Sequence, residues 1–192
     1  MTPFEIIFWM ALLAEIIIRA PVNLRRKHEK FTRPNKAILD SILFGLLSLG
    51  MFILPLIYCL TPWLDFANYS LPAFTGWAGA LIIAGAVAVF WRAHVDLGAN
   101  WSPTLETREK HELITLGIYA FIRHPMYTSQ WLWSVAQALL LPNWLAGALN
   151  LLIWTVFYTL RVGAEEKMML AAFGPAYEVY MKRTGRVFLR IS

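Results

Sequence analysis

The chain has 192 residues, of which 58% are hydrophobic and only 15% charged, with a mean hydropathy of +0.53 and a net charge of +5. A soluble domain of this size has no means of burying that much apolar surface, so the composition excludes an ordinary water-soluble fold and indicates a single membrane domain, 1–192. The lone cysteine, Cys59, excludes an internal disulfide and a cysteine-based metal cluster, and reads as a small packed hydrophobe.

Apolar blocks predict five transmembrane helices, at about 3–20, 38–60, 73–93, 126–141 and 144–160. The first has no basic leading segment and continues Arg19-Ala20-Pro21 with no small-residue cleavage site, so it is expected to be a retained anchor. Between the second and third lies Thr61 to Pro72, with Asp65 and no basic residue. Asp96 to Leu116 is the longest polar segment and predicts a loop too long to be a mere connector. Pro142-Asn143 separates the last two blocks and predicts a tight helical hairpin. Trp131, Trp133, Trp144 and Trp154 lie on that hairpin, suited to the membrane interfaces. Beyond Arg161, apolar Met169, Ala172, Phe173, Tyr177 and Tyr180 recur at helical spacing among charges. This predicts an amphipathic C-terminal helical segment over 165–188, interrupted at Gly174-Pro175.

The charges fix an orientation. Seven basic residues lie between Arg19 and Lys36, four between Arg92 and Arg123, and six between Arg161 and Arg190; residues 37–91 and 124–160 have no Lys or Arg. This is the positive-inside pattern and not a nucleic-acid-binding face. It places the N-terminus outside and the C-terminus in the cytoplasm, in the inner membrane of a bacterium or the endoplasmic reticulum of a eukaryote.

Two polar clusters then fall on the cytoplasmic side of the hairpin, His111 through Tyr127 and Arg161 through Glu166. Singly, each residue has an ordinary reading. Arg123 snorkels, His124 ends a helix, and Arg161 anchors an interface. Glu165 and Glu166 favour a helix N-terminus, Tyr119 and Tyr127 belong to an aromatic belt, and His94 and Asp96 are solvated span ends. Together, if the last two spans are antiparallel neighbours, they converge at one depth, as a functional site requires.

The order of motifs resembles the isoprenylcysteine carboxyl methyltransferase family in its short prokaryotic form. The resemblance rests on His111-Glu112-Leu113-Ile114, Gly117-Ile118-Tyr119 and Arg123-His124-Pro125-Met126-Tyr127. It continues through Arg161, Glu165-Glu166 and Phe173-Gly174-Pro175-Ala176-Tyr177-Glu178-Val179-Tyr180. It covers residues 94–188, and the wider relatives include phospholipid N-methyltransferases. It implies an all-α integral membrane fold with a cytoplasmic cofactor pocket, formed by the hairpin, the preceding loop and the C-terminal amphipathic helix. The implied cofactor is S-adenosylmethionine, with no metal and no nucleic acid. The implied cofactor-binding residues are His111, Glu112, Leu113, Ile114, Tyr119, His124, Pro125, Met126, Tyr127 and Glu165. Arg161 is the implied catalytic and acceptor-binding residue, assisted by Arg183. The acceptor would be the carboxylate of a prenylcysteine-like lipid entering from the bilayer. Alternatives are a methyltransferase of another small lipid acceptor, at N, S or O, an NADPH-dependent lipid reductase, and a non-enzymatic membrane scaffold or carrier. No Gly-x-Gly-x-x-Gly loop is present for a Rossmann-type cofactor site.

Overall fold

The computed structural model describes residues 1–26, 38–98 and 113–190, with side chains from 22 to 26 left aside. Among these residues the chain is helical, with extended pairing confined to isolated bridges at Asn68–Asn143 and Ile122–Gly185. The helices are α1 (Pro3–Arg26), α2 (Ile38–Ser48), α3 (Leu54–Leu60), α4 (Ala73–Leu97), α5 (Pro125–Leu140), α6 (Leu149–Phe173) and α7 (Pro175–Arg183). A π-helical turn, Leu49–Ile53, makes α2 and α3 one continuous rod, and a second, Trp144–Ala148, opens α6.

Among the described residues three rods are long and apolar enough to cross a membrane: Ile38–Leu60, Ala73–Leu97 and Trp144–Phe173. α1 has the length but carries Glu5, Glu15 and Arg19. α5 has 16 residues, roughly 24 Å of helix against a hydrocarbon core of about 30 Å.

The centre of the bundle is the pair α4–α5. The buried positions of α4 are Gly76, Gly79, Ile83, Ala86, Phe90, Ala93 and His94, recurring every three or four residues along one face. That face is mostly small, so the backbones approach closely: a Cβ at Gly79 would lie 2.9 Å from Leu139 Cβ. Small residues at such crossings replace the hydrophobic drive that lipid does not supply. Ser129 Oγ adds a hydrogen bond to the Ala86 carbonyl at 2.9 Å. Phe8 and Leu12 of α1 complete the core with Ile83, Trp133, Ala136, Leu140 and Leu141.

Polar atoms inside this core serve the backbone. The amide of Gln137 is fully buried and donates to the carbonyls of Gly50 (2.8 Å) and Ala146 (2.7 Å), one in each π-helical turn. Its oxygen accepts from Trp133 Nε1 at 3.1 Å. In a membrane an unbonded carbonyl has no water to turn to. Gln137→Leu is therefore expected to destabilise the protein by roughly 2–4 kcal/mol, measured by denaturant unfolding in detergent.

The hairpin at Pro142-Asn143 forms as the sequence predicts. Asn143 caps the following turn by accepting from Leu145 N and Ala146 N, and donates to the Leu64 carbonyl and to Asn68. The C-terminal segment departs from its prediction in one respect. The break at Gly174 is present, with φ of 52°, but residues 165–173 continue α6 and form no separate helix. Gly163, between Arg161 and Glu165, does not break the helix, which runs on to Phe173.

Candidate functional site

α5 begins at Pro125, whose missing N–H and fixed φ suit a first helical position. The chain before it is clamped by residues that follow α7. Arg123 N and His124 N donate to the carbonyls of Gly185 (2.8 Å) and Arg186 (3.0 Å), and Gly185 N returns a bond to Phe121. Thr128 Oγ1 donates to Val187 O at 2.6 Å. Residues 184–187 thus form a strap across the start of α5.

Arg123 anchors that strap and does not snorkel. Its Nε and Nη2 donate to Glu166 Oε1 at 3.2 and 3.1 Å, and its Nη1 donates to the carbonyls of Met181 and Thr184. Arg186 also pairs with Glu166. Glu165 and Glu166 lie deep within α6, not at its N-terminus, which removes that ordinary reading of them. His94 and Asp96 are likewise not simple solvated ends. His94 is buried with Nδ1 2.9 Å from the Phe90 carbonyl. Asp96 bonds Arg92 and accepts from Ile118 N at 2.7 Å.

That last bond shapes the turn before α5. Gly117 has a φ of 61°, and a Cβ there would fall on the Asp96 carboxylate. Gly117→Ala is expected to break the Asp96–Ile118 contact and free the adjoining Tyr119, detected as faster amide hydrogen exchange over 116–121. Tyr119 is buried, not part of an exposed belt; its carbonyl accepts from Tyr180 at 2.7 Å. Burial first, and then neighbouring tyrosine and acidic groups, push its hydroxyl well above the usual phenol range.

These elements enclose a cavity of about 580 Å³. Of the residues singled out in the sequence, Leu113, Ile114, Tyr119, His124, Pro125, Met126, Tyr127, Arg161 and Glu165 line it. His111 and Glu112 lie outside the described residues. Arg183 is exposed at the end of α7, away from the cavity wall, so the structure gives it no place beside Arg161.

Within the cavity, Tyr127 Oη donates to Glu165 Oε2 at 2.5 Å. The His124 ring stacks on Tyr127 with centroids 5.4 Å apart and sits 3.4 Å from Glu166 Oε1 through Nε2. One turn back along α6, Arg161 is 6% exposed. Its guanidinium carbon lies 5.3 Å from the Phe44 ring and 5.2 Å from the Phe157 ring. Its Nη1 donates to Asp40 Oδ1 at 3.2 Å. Two aromatic faces and a carboxylate therefore hold a buried guanidinium in one orientation. The sequence reading left Asp40 out of the site; its one signal was an acid standing at the start of an otherwise apolar block. Glu15, Arg19 and Gln130 were also missed, and all three line the cavity.

Fold and site define a helical membrane protein with an interior small-molecule cavity, lined by polar groups of α5 and α6 and by a mixed wall of α1 and α2 in which Glu15 and Arg19 stand among apolar side chains. The model of the isoprenylcysteine carboxyl methyltransferase (ICMT) family matches residues 78–171 of the chain. Protein-S-isoprenylcysteine O-methyltransferase of Schizosaccharomyces pombe is 33% identical over 93 residues, covering 47% of this chain and 39% of that protein. The Homo sapiens protein of the same name is 31% identical over 117 residues, covering 58% and 41%. The chain thus spans well under half the length of these relatives. A solved structure of the eukaryotic intramembrane Ras methyltransferase ICMT shares the fold, with a TM-score of 0.60 at 22% identity over 98% of this chain and 68% of that one.

Proposed function

We propose that the chain is an integral membrane methyltransferase that transfers a methyl group from S-adenosylmethionine to the carboxylate of a prenylcysteine-like lipid. The observation that carries this reading is the placement of Arg161 and Glu165. They stand four residues apart on one face of α6 and line the same cavity, in a chain whose matched relatives are protein-S-isoprenylcysteine O-methyltransferases.

The residues present fit the cofactor. A cavity of about 580 Å³ lies within the range that holds drug-sized ligands, roughly 300–1,000 Å³. Apolar Leu113 and Ile114 offer a slot for an adenine, the Glu165 carboxylate suits an ammonium, and the rings of Tyr119, Tyr127 and Tyr177 suit a sulfonium. When bound, S-adenosylmethionine supplies an already activated methyl group. The protein's task is then positioning and desolvation, with no general base, because a carboxylate is already nucleophilic. Arg161 grips the acceptor carboxylate with parallel N–H bonds, for which a planar guanidinium is suited. Asp40, Phe44 and Phe157 hold that guanidinium fixed. The apolar side chains that α1 and α2 contribute, Leu12, Ile16, Phe44 and Leu47, take the lipid chain. In this reading α1 and α5 cross the membrane with the three longer rods, and the basic clusters face the cytoplasm.

Calorimetry in detergent with S-adenosylmethionine, S-adenosylhomocysteine and NADPH tests the cofactor. Binding of either methyl-donor ligand is expected; NADPH binding alone sinks the reading in favour of a reductase. Radiolabelled methyl transfer to a farnesylcysteine analogue, set against an extracted lipid pool, then ranks the acceptors.

A further inference from the structure

Arg161 meets the cavity with a carboxylate already on it. Its Nη1 donates to Asp40 Oδ1 at 3.2 Å, and the two side chains are 7% and 25% exposed. Asp40 reaches the guanidinium from α2 and is not among the residues that line the cavity, whereas Arg161 is. The rings of Phe44 and Phe157 flank the same guanidinium, and the Tyr127 hydroxyl interacts with it. Glu165, the other acid of this wall, is bonded to Tyr127. The positive charge that Arg161 offers to the cavity is therefore shared with an acid behind it.

Holding Arg161 in place does not require a charge. Two rings already flank it, and an amide oxygen could accept the same N–H. A charge does alter the proposed reaction. Methyl transfer to a carboxylate forms an O–C bond as the donor's C–S bond breaks, and the electron pair of that bond stays on sulfur. The acceptor begins as an anion and ends as a neutral ester. A guanidinium with no other acid would stabilise the anion most before transfer, and losing that stabilisation would slow the chemical step. A second carboxylate on the same guanidinium opposes this. It repels the acceptor anion in a site poor in water, and the repulsion fades as the methyl group arrives. Once the ester has formed, Asp40 keeps the buried guanidinium paired, where an unpaired one is costly.

We infer that Asp40 acts through Arg161 as a charge balance for the transfer, holding down the affinity for the acid so that the acceptor's loss of charge is not resisted. The inference rests on the carboxylate-acceptor reading. Asp40 touches no reacting atom and is a positioning residue. Its signature is opposite changes in affinity and rate: without its charge the acid binds more tightly and reacts more slowly. A purely structural tie between α2 and α6 has a different signature, because its loss frees Arg161 and weakens acid binding and transfer together.

The test uses the full chain in lipid nanodiscs, with S-farnesylthiopropionate as the acid and its methyl ester as the neutral counterpart. Binding is read by quenching of tryptophan fluorescence with S-adenosylhomocysteine present, so that no turnover intervenes. Transfer is read by radiolabel in a single turnover at saturating acid. Asp40→Asn keeps an oxygen for Arg161 and removes the charge. It is expected to raise the ratio of acid to ester affinity about tenfold, the effect of one charge-assisted contact, and to slow transfer at saturation by about as much. Asp40→Glu, which restores the charge, should return both toward the wild type. Asp40→Ser should change both in the direction of Asp40→Asn, and it serves in place of that variant should the latter fold poorly. An acid-to-ester ratio unchanged or lower in the uncharged variant overturns the inference, as does transfer as fast as in the wild type. Failure of the carboxylate-acceptor reading shows separately, as an acid affinity unaffected by Arg161→Gln.

Discussion

Glu166→Ala is expected to lower the unfolding free energy by about 3–5 kcal/mol, the largest stability loss of any single polar substitution among the described residues. The side chains of Glu166 and Arg123 are 7% and 8% exposed and meet at 3.1 Å. Removing the acid leaves Arg123 charged and buried, bonded only to the carbonyls of Met181 and Thr184 among its described contacts. Arg186 loses its carboxylate at the same time, and it sits in the strap that closes over α5. Arg123→Ala should cost a similar amount, because the acid is then stranded. The double replacement by Met and Leu should recover much of either loss, since a buried ion pair and an apolar pair of like volume are close in net stability. Unfolding in detergent, followed by tryptophan fluorescence, gives all three values. A loss under about 1 kcal/mol in both single variants would show that the pair is solvated like a surface bridge.

The second large effect concerns activity. Arg161→Ala is expected to reduce kcat/KM for a carboxylate acceptor by roughly 10²–10³, with little change in affinity for the methyl donor. Glu165→Ala is expected to do the reverse, weakening donor binding by roughly tenfold or more as one charge-assisted contact is lost. The asymmetry follows from their neighbours. Arg161 is set by Asp40, Phe44 and Phe157. Glu165 is set by Tyr127 on the facing helix. Initial rates and donor calorimetry on both variants separate the roles, and equal loss of donor affinity in the two would overturn the division. Arg161→Lys should rescue poorly, because an ammonium cannot present the planar fork that stacks between two rings.

Much of this protein was decided by sequence alone. Three long apolar runs dictate three membrane rods, because a bilayer core demands about 20 apolar residues and offers no water to anything else. Pro142-Asn143 dictated the hairpin, Gly174-Pro175 the break before α7, and the order of polar motifs the resemblance to the matched family. These features are local: a run length, a cap or a turn residue acts on its immediate neighbours. The meeting of distant groups was decided only by tertiary structure. Nothing near Arg123 in sequence foretold Glu166, 43 positions away, or the strap at 184–187. Nothing near Arg161 foretold Asp40, 121 positions away. A buried charge takes whichever opposite charge the packing brings within about 4 Å, and that choice depends on how α2, α5 and α6 cross. The same holds for Glu15 and Gln130, joined across 115 positions. The sequence supplied the polar groups and the span lengths. Which groups face one another across a dry interior was settled by helix packing.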